Sequence, residues 1–115
     1  MRRLVLPFVI ALGLTVLAAQ AWAATGRAVK LHDDYITMRY YSAPHGEVRF
    51  NVSNVGLHVH NFKIKRLSTG VVIGSTRDIA PGSFKSITRT LPTGRYKLFC
   101  SHHVAIGMYV FFKAT

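Results

Sequence analysis

From Arg27 onward the chain alternates apolar and polar residues in short runs bounded by turn signals, and no stretch holds a helical period. Residues 46–53 put Val48, Phe50 and Val52 on one face and Glu47, Arg49 and Asn51 on the other, the period of two of a half-buried strand. Over residues 60–65, Phe62 and Ile64 share a face while Asn61, Lys63 and Lys65 oppose them, so the phase carries His60 to the apolar side. Residues 95–100 repeat the pattern with Tyr96 and Leu98 in phase with Cys100, which turns the thiol inward. Runs rich in β-formers over 28–32, 36–41 and 108–112 add further strands. Ala80-Pro81-Gly82 and Pro92-Thr93-Gly94 supply tight turns, and residues 42–46 a longer loop. Seven or eight strands at this spacing predict an all-β fold, a two-sheet sandwich with mostly antiparallel pairing. The pairs Tyr40-Tyr41 and Phe111-Phe112 are expected to pack in the core and between the sheets.

The N-terminal pattern is different. Arg2 and Arg3 precede an apolar stretch over residues 4–17, and Ala21-Trp22-Ala23 sets small residues two apart before Ala24. This is the layout of a secretory leader over residues 1–23, cleaved after Ala23, with a mature domain over 24–115. The apolar stretch falls short of the ~20 residues a spanning helix needs, and Pro7 interrupts it, so a retained membrane anchor is the weaker reading. Export to the periplasm also frames the cysteine: a lone thiol in an oxidising compartment is a liability unless it is buried or ligated.

At 115 residues the chain has room for one small domain, and 50% hydrophobic residues exclude a disordered polybasic tail. A single cysteine excludes an internal disulfide, a multi-thiolate zinc finger and a dithiol redox motif. Only four acids, Asp33, Asp34, Glu47 and Asp78, leave little for general acid–base catalysis, so an enzyme is not expected. Against them stand 15 Lys and Arg, for a formal charge of +11 that cleavage would lower to +9. Arg49, Lys63, Lys65, Arg95 and Lys97 oppose the core side of their strands, a positive field suited to steering an acidic partner. Nucleic acid is not the expected partner, because export separates the chain from it and no binding motif accompanies the charge. A membrane surface is a weaker alternative, and the protein is expected to be a monomer.

Chemistry concentrates in Cys100-Ser101-His102-His103-Val104-Ala105-Ile106-Gly107-Met108. A thiolate, an imidazole and a thioether form a soft set suited to copper, whereas calcium or magnesium would want oxygens. His60, in core phase at the start of its strand, offers a second imidazole. Each residue alone has a plainer role: a buried small hydrophobe for Cys100, satisfied histidines at a sandwich rim, a core filler for Met108. Their joint spacing favours a metal centre. His58 and His60 form a His-x-His pair, but no other ligand cluster stands near it to make a second metal site, and His32 and His45 stand in loop or strand-end contexts where solvated histidine is the default.

These blocks resemble the cupredoxins, the small blue-copper proteins. Asn54-Val55-Gly56-Leu57-His58-Val59-His60-Asn61-Phe62 is similar to the family's Asn-x-Gly stretch leading to His-Asn-Phe. Cys100, His103 three residues on and Met108 five beyond it have the spacing of the plastocyanin ligand loop. The resemblance implies a Greek-key sandwich and one type 1 copper ion, with His60, Cys100 and His103 near a trigonal plane and Met108 as a weak axial ligand. It also implies supporting roles for Asn61, Ser101 and His102, with Asn61 tying the loops together and offering its backbone N–H to the sulfur. His102 stands where plastocyanins commonly have proline, so its N–H is expected to give the sulfur a second hydrogen bond and favour Cu(I). The implied function is one-electron transfer between larger redox proteins that dock transiently near His103. The alternative is a periplasmic copper chaperone or copper-resistance protein, and a metal-free adhesion sandwich is a third reading.

Overall fold

The structure is a computed structural model and describes residues 3–5, 7 and 23–115. The leader expected over residues 1–23 and its cleavage therefore lie outside the described residues, apart from those few positions. Nine strands and one short 3-10 turn make up the described fold: β1 (Thr25–Leu31), β2 (Ile36–Met38), β3 (Ser42–Ala43), β4 (Gly46–Asn54), β5 (Lys63–Arg66), β6 (Val72–Ser75), β7 (Phe84–Leu91), β8 (Gly94–Phe99) and β9 (Tyr109–Ala114), with the turn at Val104–Ile106.

Alternation explains the central strands. In β4, Val48, Phe50 and Val52 are fully enclosed while Glu47, Arg49 and Asn51 face solvent. In β8, Tyr96 and Leu98 are enclosed, and the phase continues into Cys100. The elements form two mixed sheets, ordered β2-β1-β4-β7 and β3-β9-β8-β5-β6. Five pairings are antiparallel, and two, β1 with β4 and β3 with β9, are parallel. The inner faces meet over one core, in which the Phe50 ring lies 5.4 Å from that of Phe62 and 5.3 Å from that of Phe112.

The strand count exceeds expectation by the two-residue β3, which occupies part of the segment read as a loop. β2 stops at Met38 rather than reaching Tyr41, and β6 and β7 were not marked by any clear alternation. The aromatic pairs depart further. Phe112 is buried, but Tyr40, Tyr41 and Phe111 are 54%, 44% and 51% exposed. Arg27 and Arg39 lie over the Tyr40 ring at 5.3 and 5.4 Å, so cations cover on the surface what was expected to be covered by the core.

β1 and β4 run side by side, from Thr25 opposite Val48 to Leu31 opposite Asn54. The segments carrying the candidate ligands leave the sandwich at the Leu31–Asn54 end.

Candidate metal centre

His60 enters the core just ahead of β5. A two-sided backbone bridge to Ile79 fixes it, with His60 N–H donating to Ile79 O at 3.2 Å and Ile79 N–H donating to His60 O at 2.7 Å. Cys100 follows β8 directly, and a tight turn returns the chain to β9: His103 N–H donates to Cys100 O and Met108 N–H to His103 O, each at 3.2 Å. Gly107 ends the 3-10 turn at φ 97°, in the left-handed region that glycine enters without steric cost. The loop is thereby pinned at both ends, with Cys100 N–H donating to Met108 O at 3.2 Å.

Two distant stretches of chain thus converge. Cys100 Sγ lies 3.7 Å from His60 Nδ1 and 3.6 Å from His103 Nδ1, and the three donor atoms all fall within 4.8 Å of one another. The two imidazole rings meet edge to face, centroids 4.9 Å apart. His60, Cys100 and Met108 are fully buried, and His103 is half-buried. Met108 is tied to the same turn through its backbone bonds to Cys100 and His103.

The donor spacing can be tested against a metal ion. Bonds of about 2.0 Å to nitrogen and about 2.3 Å to sulfur, meeting at about 120°, set their donors about 3.7 Å apart. Both sulfur–nitrogen separations match this. The donor chemistry, one thiolate and two imidazoles, fits copper in either oxidation state.

Around the donors, Asn61 ties the two segments together. Its amide donates to Ser101 Oγ at 2.6 Å, and its carbonyl oxygen accepts the Ser101 N–H at 2.8 Å. Among the described residues, the sulfur's partners in hydrogen-bonding range are the two Nδ1 atoms; the Asn61 and His102 backbone N–H groups expected to donate to it are not among them. The His102 ring turns outward instead, its Nε2 2.8 Å from Asp78 Oδ1. His102 is one of the two central residues of the turn closed by the Cys100–His103 hydrogen bond, and Asp78 provides a hydrogen-bond partner on the solvent side. His32, His45 and His58 lie outside the donor cluster. His32 Nε2 pairs with Thr37 Oγ1 at 2.9 Å, and His45 Nδ1 with Thr115 O at 2.8 Å.

Two supporting residues had no role assigned from the sequence: Asn54, which opens the Asn-x-Gly stretch, and Asp33, one of the few acids. Asn54 is buried and fully satisfied: its amide donates to His58 O and Ile79 O, both at 2.8 Å, and its oxygen accepts the Gly56 N–H at 3.0 Å. It fastens the loop leading to His60 onto the end of β4. Asp33, from the β1–β2 connection, accepts at Oδ1 from Leu57 N–H at 2.9 Å, His58 N–H at 3.1 Å and His60 Nε2 at 3.1 Å. Desolvation pushes the Asp33 carboxyl up, but the bonds from His60, from the His58 and Leu57 N–H groups and from the His58 ring outweigh it and hold the group at about 2. A carboxylate only accepts, so Nε2 is the His60 ring atom placed to donate to Asp33, and Nδ1 is the one turned toward the sulfur.

The cupredoxin-like domain family matches residues 4–110. The chain belongs to that family. Among solved structures, this cupredoxin is similar to dithionite-reduced auracyanin from the photosynthetic bacterium Roseiflexus castenholzii, with a TM-score of 0.68 and 19% identity, covering 82% of this chain and 99% of that one. It is similar also to auracyanin B, with a TM-score of 0.68, 18% identity and coverage of 80% and 89%. A purple cupredoxin from Nitrosopumilus maritimus gives a TM-score of 0.55 and 15% identity, covering 79% of this cupredoxin and 99% of its own chain. At these identities the likeness is one of fold. No curated protein matches the chain in sequence.

Proposed function

We propose that this cupredoxin is an exported type 1 copper protein that carries single electrons between larger redox proteins, without being an enzyme itself. The observation that supports this most directly is the convergence of Cys100 Sγ with the Nδ1 atoms of His60 and His103 at the spacing one ion requires. Copper would be held by these three atoms with Met108 as a weaker fourth donor, and when bound it supplies one-electron redox chemistry.

The chain's own residues suit that task. His60 and Cys100 are shut away from water, which limits solvent rearrangement when charge changes. The backbone bonds of the 100–108 turn and the Asn61–Ser101 pair hold the donor positions, so little of the protein has to move between oxidation states. His103 is the one donor histidine that reaches the surface. Leu57, Val59 and Ile106, on the two loops of this pole, are 84%, 45% and 65% exposed and provide an apolar contact for a transient partner. Burial of both His60 and Cys100 argues against the chaperone alternative, in which an acceptor must reach the donors. The periplasmic location rests on the charged, apolar and small-residue order of residues 1–23.

The test is the spectrum of the purified protein after Cu(II) is added. An intense visible thiolate-to-copper absorption with reversible electrochemistry is expected. A colourless Cu(I) form that hands its metal to an acceptor would replace this reading with the chaperone.

The partner is proposed to be acidic. On the outer face of the second sheet, Lys65 stands across from Lys97 and Arg95 across from Lys113, with no acid in β5, β8 or β9. Like charges directly opposite one another cost stability that an acidic surface would recover. Reduction of hexacyanoferrate(III), an anion, by the Cu(I) protein is therefore expected to slow as salt rises. With a tripositive cobalt(III) complex as oxidant the trend should reverse. A rate indifferent to salt with both probes would count against electrostatic steering.

A further inference from the structure

Four nitrogen atoms crowd one carboxylate oxygen at the edge of the candidate centre. Besides the bonds from Leu57, His58 and His60, the His58 Nδ1 atom lies 3.3 Å from Asp33 Oδ1. The partners are unequal in burial: the Asp33 side chain is 31% exposed, His58 72%, and His60 not at all. The buried imidazole therefore has its far nitrogen satisfied by a charged group that itself touches water. Gly56 makes the approach possible, because a Cβ there would collide with the Asp33 carboxylate and press on its backbone nitrogen at 3.2 Å.

We propose that Asp33 is a positioning residue of the copper centre, holding His60 as the Nε2–H tautomer aimed at Cys100 and strengthening it as a donor, which favours the oxidised metal. The inference rests on the copper reading above. A carboxylate bonded to the remote N–H of a ligating imidazole fixes the ring's orientation and raises its basicity. A neutral oxygen in the same place would fix the orientation but supply less of the second effect. The two backbone N–H groups bonded to the same oxygen show that Asp33 also closes the loop over residues 54–58, so substitution must separate charge from shape. Asp33→Asn does so: its side-chain oxygen can accept the same three N–H groups, and only the charge is lost.

Two measurements decide the proposal. In the metal-free wild-type protein, nitrogen-15 NMR should find His60 protonated on Nε2 and bare on Nδ1; a His60 protonated on Nδ1 would overturn it, whatever metal the site takes. In the copper-loaded Asp33→Asn protein the reduction potential should rise above wild type, while the visible band and the unfolding temperature stay close to it. An unchanged or lowered potential in that folded variant would leave Asp33 as a loop clamp and refute its influence on the metal. Absence of any thiolate–copper band in the wild-type protein would instead defeat the copper reading, with the NMR result still deciding whether Asp33 sets the tautomer. Should Asp33→Asn not fold, Gly56→Ala, whose Cβ would push the carboxylate off its place, should raise the potential in the same direction, and no rise there would refute the proposal.

Discussion

Copper-loaded Cys100→Ser protein is expected to lose the intense visible absorption altogether while keeping the fold. Serine has nearly the same shape, and its hydroxyl can hydrogen-bond to either adjacent Nδ1, so the buried position costs little more than about 1 kcal/mol. The alkoxide that would be needed to replace a thiolate does not form near neutral pH, and oxygen lacks the soft, covalent character that stabilises Cu(I). Copper affinity should fall by more than the about 10–100-fold that loss of an outer hydrogen-bonding partner costs. Absorption and circular dichroism on one sample separate the two effects. Retention of the band in a folded Cys100→Ser protein would show that the sulfur is not the donor.

The second large effect is on stability. Phe50 sits on β4, an interior strand of its sheet, with no exposed surface and with Phe62 and Phe112 against it. Phe50→Ala removes that contact and leaves a cavity between the sheets, at a cost of about 3–5 kcal/mol. For a domain of this size each kcal/mol lowers Tm by about 4–8 °C, so thermal unfolding followed by circular dichroism should shift down by at least about 12 °C. Natural domains hold only about 5–15 kcal/mol in reserve. A shift of less than about 5 °C would mean the sheets close over the gap and the three rings are not the core's centre. Because Phe62 lies two residues after His60, the variant should also bind copper less tightly.

What the pattern of residues revealed follows from how many neighbours a strand has. β4 and β8 lie inside their sheets, and burial on one face imprints the alternation from which they were read. The four edge strands are β2, β7, β3 and β6, and each was missed or given different limits. An edge strand has one partner and shows solvent a longer flank: in β7 only Ile87 and Leu91 are buried, and Phe84 is 74% exposed. The parallel pairing of β1 with β4 carries no local signal either, since no turn joins the two strands. Cys100, His103 and Met108 were legible because one short loop carries all three, and His60 because its phase placed it inward. Asp33 was visible only as a scarce acid, because its bond to His60 spans 27 residues and depends on how two loops fold over one another.

β1 begins beside Val48 and rises to Leu31, so its first residue lies about 20 Å from the end of the sandwich where the ligand loops emerge. A linker, a surface coupling or a lipid tether attached ahead of Thr25 would hold the domain by its foot, leaving the pole that carries His103 turned toward the solution.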